Sequence, residues 1–115
     1  MEIDQFRTQL ISALSSLDYI ESINISEVKE SKFIGTVRVR RSYVLSIRFK
    51  LFQGILTLSF TLIFENKRIW GLDKDNRAGW HIHPLHDVTN HEPIEPKKVH
   101  EIVMEFDRIV RQLIE

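Results

Sequence analysis

This 115-residue chain contains no cysteine, only four glycines and only three prolines. Without cysteine, disulfides, thiolate nucleophiles and cysteine-ligated zinc are excluded. Basic and acidic residues number 16 each, so no net charge draws the whole chain toward nucleic acid or an anionic membrane. No apolar run approaches the roughly 20 residues of a membrane-spanning helix, and the first residues lack a signal-peptide pattern. We therefore expect a cytoplasmic protein of one domain, residues 1–115.

Helical periodicity marks both ends of the chain. Apolar residues recur at helical spacing over residues 3 to 17 and again up to about residue 114. Pro96 suits the first position of the second helix. Turn formers and strand breakers make residues 73 to 95 irregular, apart from a short strand over residues 80 to 83.

Between the helices, apolar and polar residues alternate, which is typical of strands with one buried face. The predicted fold is a two-layer α+β domain in which an antiparallel meander of five or six strands packs one face against both helices. Turn lengths fix its register. The last predicted turn pairs Phe64 with Ile69 and places Trp70 on the face that the helices leave open. The predicted turns span residues 40–42, 53–54 and 66–67.

The open face of the predicted sheet offers two kinds of binding surface. Trp70 beside Ile63 and Val44 has the composition of an interface core, which predicts a homodimer or another interaction module. Arginines could instead hold RNA phosphates, with Trp70 or Trp80 as a stacking surface. A solvated face that binds nothing is the third interpretation. The arginines concerned are Arg38, Arg40, Arg41 and Arg48.

Four of the five histidines lie between positions 81 and 91. His81 and His83 project from the same face of a strand, while His86 and His91 lie within reach on the following loop. Two imidazoles can act as general base and general acid while an arginine stabilises a phosphate. The arginine would be Arg77 or Arg38.

This combination predicts metal-independent ribonuclease chemistry without a cofactor, catalysed by His81 and His83. Zinc is the alternative, because two histidines on one strand face suit metal ligation and nearby carboxylates could complete the shell. In a third interpretation the imidazoles and Trp80 only pack over the open face. The nearby carboxylates are Asp73, Asp75 and Glu92.

The order of these motifs resembles the small TumE-type toxin family. An Asp-Asn pair follows a strand-turn-strand unit, then come two histidines with a proline, a later histidine and a Glu-Pro pair before the last helix. The resemblance implies a cytoplasmic toxin that a separately encoded antitoxin neutralises. The matching positions are Asp75, Asn76, His81, His83, Pro84 and His91.

Overall fold

The computed structural model describes residues 3–29 and 31–115, without the side chains of residues 27–29. It confirms an α+β fold with a helix at each end of an antiparallel sheet. The helices are α1 (Ile3–Ser15) and α2 (Val99–Ile114). The strands are β1 (Ile20–Lys29), β2 (Lys32–Val39), β3 (Tyr43–Phe52), β4 (Ile55–Phe64), β5 (Lys67–Asp75), β6 (Gly79–His83) and β7 (Glu92–Pro93).

The seven strands follow one another in sequence order across a single sheet. The prediction of five or six strands missed β7, which has only two residues and pairs with β6 through His81 and Ile82. The region from residue 73 to 95 is also more regular than predicted, since β5 continues to Asp75.

Both helices pack on the same face of the sheet. The Phe6 ring of α1 lies 4.1 Å from that of Phe49 on β3. The Phe106 ring of α2 lies 6.5 Å from Trp70 on β5. All four side chains are buried in one core, which leaves the other side of the sheet without a helix. We call that side the open face.

The C-terminal helix begins at Val99 rather than at Pro96. The Glu101 carboxylate accepts the backbone N–H of Lys98 at 2.8 Å. This contact satisfies a backbone donor that the helix itself leaves free, so the helix starts after Lys98.

A buried tyrosine joins α2 to the start of the sheet. The Tyr19 hydroxyl donates to the Asp107 carboxylate at 2.6 Å, and burial, followed by this hydrogen bond, raises the pKa of Tyr19 above its ordinary range. We expect Tyr19→Phe to lower the free energy of unfolding by about 1.5 kcal/mol, as for a hydrogen bond to a charged acceptor. Urea denaturation would measure this. Tyr43→Phe, which removes a hydroxyl that has no hydrogen-bond partner among the described residues, is the control, and equal losses would contradict the assignment.

The register of the meander follows the prediction as far as β4. Leu51 pairs with Leu56 across the turn at residues 53–54, and Val39 pairs with Tyr43 across the turn at residues 40–42. Because the side-chain period is two, every apolar residue of these strands that was predicted to face the helices does so.

The predicted pairing of Phe64 with Ile69 is wrong. The turn consists of Glu65 and Asn66, both with positive φ, so Phe64 pairs with Lys67. A bulge at Ile69 adds one residue to β5 between two paired positions, so the residues after it face the opposite side from the predicted one. Ile69 and the residue after it are consequently both buried.

Candidate metal centre

Strand β6 carries two buried histidines on the open face. His81 pairs with Asp73 of β5, and His83 pairs with Gly71 of the same strand. Only 4% of His81 and 3% of His83 is exposed, and they are the only buried polar or charged residues in the described part of the chain. Buried polar side chains require partners, so their contacts define the site.

Each imidazole is oriented by a backbone carbonyl. His81 Nδ1 lies 3.0 Å from the Gly79 carbonyl oxygen, and His83 Nδ1 lies 2.8 Å from that of Val88. A carbonyl oxygen only accepts, so both Nδ1 atoms carry the proton and donate it. The Nε2 atom of a neutral ring then presents a lone pair.

Both Nε2 atoms point toward one carboxylate oxygen. Asp73 Oδ2 lies 2.9 Å from His83 Nε2 and 3.6 Å from His81 Nε2. The other oxygen, Asp73 Oδ1, is buried and has no hydrogen-bond partner among the described residues. Asp73 Oδ2 accepts a hydrogen bond from His83 Nε2 when that nitrogen carries a proton, and a cation bound between the two atoms would replace that proton.

A third histidine approaches from the loop after β6. The His91 ring lies 4.5 Å from that of His83 and 5.3 Å from that of His81, centroid to centroid. The loop is held by the His86 N–H, which donates to the Ile69 carbonyl at 2.8 Å. His91 is exposed, so it closes the cluster on the solvent side.

The three histidines together could hold a metal ion. One ligand atom from each of His81, His83 and His91 lies within 4.8 Å of the others, so this triad could hold a metal ion. Zinc–nitrogen bonds of about 2.0–2.1 Å place neighbouring ligand atoms of a tetrahedral site about 3.3 Å apart. The separations of 2.9 and 3.6 Å between Asp73 Oδ2 and the two Nε2 atoms bracket that value.

Gly71 leaves room for the His83 ring. A Cβ atom at position 71 would lie 3.2 Å from His83 Cδ2 and 3.6 Å from His83 Cβ. We expect Gly71→Ala to displace the ring and weaken zinc binding by about tenfold, as changes next to metal ligands do. Isothermal titration calorimetry would measure the affinity.

The matched control for that variant is Gly35→Ala. Its added Cβ would lie equally close, 3.2 Å, to Ile25 Cδ1, on a strand far from the histidines. Zinc affinity should be unchanged in this control. Equal loss in both variants would show that general strain, rather than the position of His83, controls binding.

Arg68 belongs to the site, although the sequence analysis did not identify it. Its Nη2 donates to the Val88 carbonyl at 3.1 Å and lies 3.3 Å from His83 Nδ1. His83 Nδ1 donates its proton to the Val88 carbonyl, so it cannot also accept a hydrogen bond. The distance between Arg68 Nη2 and His83 Nδ1 is therefore a close approach without a hydrogen bond. Arg68 pairs with Ile63 of β4 on the open face.

Neither predicted catalytic arginine contacts the histidines. Arg38 lies on β2, four strands from β6 and thus about 19 Å away at 4.8 Å per strand. It cannot share one phosphate with His81. Arg77 lies in the β5–β6 turn, and within the described chain it makes no hydrogen bond or ion pair with either histidine.

The β5–β6 turn is shaped by an aspartate. Asp75 Oδ1 accepts the backbone N–H groups of Ala78 at 2.7 Å and Arg77 at 2.9 Å. Both hydrogen bonds hold the pKa of Asp75 below its ordinary value, and the one from Ala78 has the larger effect. The carboxylate thus acts in the turn that sets the β6 register; it interacts electrostatically with His81 but, among the described residues, makes no hydrogen bond or ion pair with the histidine cluster.

The predicted aromatic binding residues do not lie on the open face. Trp70 pairs with Leu62 and is 1% exposed, so the interface predicted around it lacks its central side chain. Trp80 is half-buried and packs against the core. It neighbours His81 on a strand and therefore projects to the opposite side.

The remaining predicted binding residues are separated from one another. Arg40 donates to the Asp18 carbonyl at 3.2 Å in a turn at the sheet end. His86 is exposed and stands outside the triad. Arg48 lies on the open face, in the row that leads to Asp73 through Ser59.

Comparison with known proteins gives no match: no protein-family model, curated protein or solved structure matches the chain. The TumE-type resemblance stays a prediction. Within the described residues, none of the helices has the length and apolar character needed to cross a membrane.

Proposed function

We propose that this chain binds one divalent transition-metal ion, zinc in the first place, and uses it in hydrolysis. The ligands are His81, His83 and His91, with Asp73 as a fourth ligand or as the partner of a metal-bound water. The observation that carries the proposal is the shared orientation of the two buried imidazoles. Each donates Nδ1–H to a carbonyl and turns Nε2 to one carboxylate oxygen.

This pattern favours a metal over metal-free acid–base chemistry. Metal-bound histidines characteristically donate their other ring N–H to a carbonyl or carboxylate. A general base must instead present a free nitrogen to the substrate. Both nitrogens of His83 already face protein acceptors, at 2.8 and 2.9 Å, and little of either buried ring is exposed.

The solvent side of the cluster supports a catalytic rather than a structural site. Catalytic zinc keeps an open position beside three protein ligands, lowers the pKa of bound water to about 7 and polarises the bond under attack. His91 is exposed, so a substrate can reach the cluster there. The unpartnered Asp73 Oδ1 can accept a hydrogen bond from a metal-bound water.

Zinc titration of the purified chain by isothermal titration calorimetry tests the proposal. We expect one ion per chain. Zinc at about 100 times the dissociation constant should raise the free energy of unfolding by about 2.7 kcal/mol. Hydrolysis of bis-p-nitrophenyl phosphate should appear with zinc and disappear with EDTA. Absence of zinc binding at millimolar concentration would refute the metal centre, whereas binding without hydrolysis would refute only the catalytic role.

A second candidate is the TumE-type toxin acting as a metal-independent ribonuclease. The 2.9 Å His83–Asp73 pair supports it, because a carboxylate can orient a catalytic imidazole. It predicts growth arrest and RNA loss on induced expression, with cleavage that persists in EDTA. An antitoxin as partner belongs to this proposal. Loss of cleavage in EDTA would favour the metal centre instead.

A further inference from the structure

A cluster of cations lies on the open face beside the histidine site. A cavity of about 200 Å³ is lined by Lys32, Arg48 and Lys50 together with Thr57, Ser59, Phe49 and Leu58, and its wall is mostly apolar, with no carboxylate in it. Among the described residues, none of the three cations makes a salt bridge. Because that wall is mostly apolar, a phosphate would bind to the charged ends of the three cations rather than inside the cavity.

An exposed aromatic ring adjoins these cations. Phe52 is 57% exposed, and Lys50 Nζ lies 5.5 Å from the centre of its ring. Phe52 pairs with Ile55 at the tip of the β3–β4 hairpin. Ile55 is also exposed, at 46%. A cation and an exposed ring side by side match the two parts of a nucleotide, its phosphate and its base.

The sheet register connects this cluster to the histidine site. Arg48, Ser59, Asp73 and His81 occupy one row on four neighbouring strands. At about 4.8 Å per strand, the Cα atom of Arg48 lies about 10 Å from that of Asp73. A long arginine side chain covers much of that distance, so a chain of nucleotides can contact both.

We propose that the open face between the β3–β4 tip and the histidine cluster binds single-stranded nucleic acid. Lys32, Arg48 and Lys50 contact phosphates and Phe52 stacks on a base, which brings the next phosphodiester to the histidine site. Single-stranded nucleic acid would then be the substrate class of the proposed metal centre. Only the cleavage step rests on the proposed function, because binding does not require the metal.

The test measures binding, in EDTA, so that it does not depend on the metal. Fluorescence anisotropy of a labelled single-stranded RNA about ten nucleotides long would be recorded over a range of salt concentrations. We expect Arg48→Gln and Lys50→Gln each to reduce the magnitude of the salt slope by about one. Phe52→Ala should weaken binding about tenfold with the slope unchanged.

Matched controls lie on the helix side of the molecule. Arg108→Gln removes the same charge from exposed α2, and Met104→Ala removes an apolar side chain that is 65% exposed. Neither should change binding. Equal effects of Arg48→Gln and Arg108→Gln would overturn the proposal, because only net charge would then matter.

Two further arms identify the ligand. Competition by inorganic phosphate as strong as by the oligonucleotide would reduce the site to a phosphate pocket and overturn the stacking role. Vesicles containing phosphatidylserine test an anionic lipid surface. The proposal would also be overturned if the wild type bound these vesicles but not RNA and Phe52→Ala abolished the vesicle binding. RNA binding that persists when zinc titration fails would separate this inference from the metal centre.

Discussion

Replacing His83 with alanine is expected to weaken zinc binding more than about 100-fold. Changes to groups that merely support a metal ligand cost about 10–100-fold, and this substitution removes one of the proposed ligands. It also removes the ring held between the Val88 carbonyl and Asp73. Calorimetric titration of the variant against the wild type would measure the change.

His83 is buried, so its replacement could also disturb folding. His91→Ala provides a second variant, because His91 is exposed and belongs to the triad. It should retain the thermal stability of the wild type without zinc and lose the stabilisation by zinc. His86→Ala, in the same loop but outside the triad, is the control. Equal zinc affinity of the wild type and the His91 variant would remove His91 from the ligand set.

Trp70→Ala is expected to lower the free energy of unfolding by about 3–5 kcal/mol, as large-to-small changes in cores do. Trp70 is among the largest fully buried side chains, and it packs near Phe106 of α2. A domain has roughly 5–15 kcal/mol of stability in total, so the variant should be close to unfolding. Urea denaturation followed by circular dichroism would measure the loss.

The same substitution distinguishes the two sheet registers. A Trp70 on the open face, as the predicted register placed it, would tolerate alanine within about 0.5 kcal/mol. Trp80→Ala is the matched control, and its half-buried ring should give a smaller loss than Trp70. Near-neutral behaviour of Trp70→Ala would contradict the bulge at Ile69 and restore the interface predicted around that residue.

The sequence predicts most of the fold because two independent signals agree up to β4. Alternation shows which residues face the helices, and turn length shows which residues pair. After β4 these signals separate. Glu65 adopts positive φ without being a residue type that favours it, and the bulge at Ile69 buries two consecutive residues. Neither feature can be read from periodicity, since one added residue changes the face of every residue that follows it in the strand.

The candidate site is predictable only in part for the same reason. The shared face of His81 and His83 follows from the period of a strand. Their position opposite Asp73 and Gly71 required the β5–β6 pairing, which the sequence analysis treated as irregular chain. The approach of His91 depends on a loop held by contacts such as that of Arg68 with the Val88 carbonyl. Arg68 and Val88 are 20 positions apart in the sequence. The periodicity of a single segment does not reveal a contact between residues so far apart.

An anomalous difference map from crystals grown with zinc, recorded at the zinc absorption edge, tests the metal centre most directly. The proposed metal centre predicts one strong peak per chain, within about 2.0–2.1 Å of the Nε2 atoms of His81 and His83. His91 or Asp73 should complete the coordination. A peak elsewhere on the molecule would contradict the metal centre. So would the absence of a peak while both histidines keep their contacts with Asp73 and with the carbonyls of Gly79 and Val88.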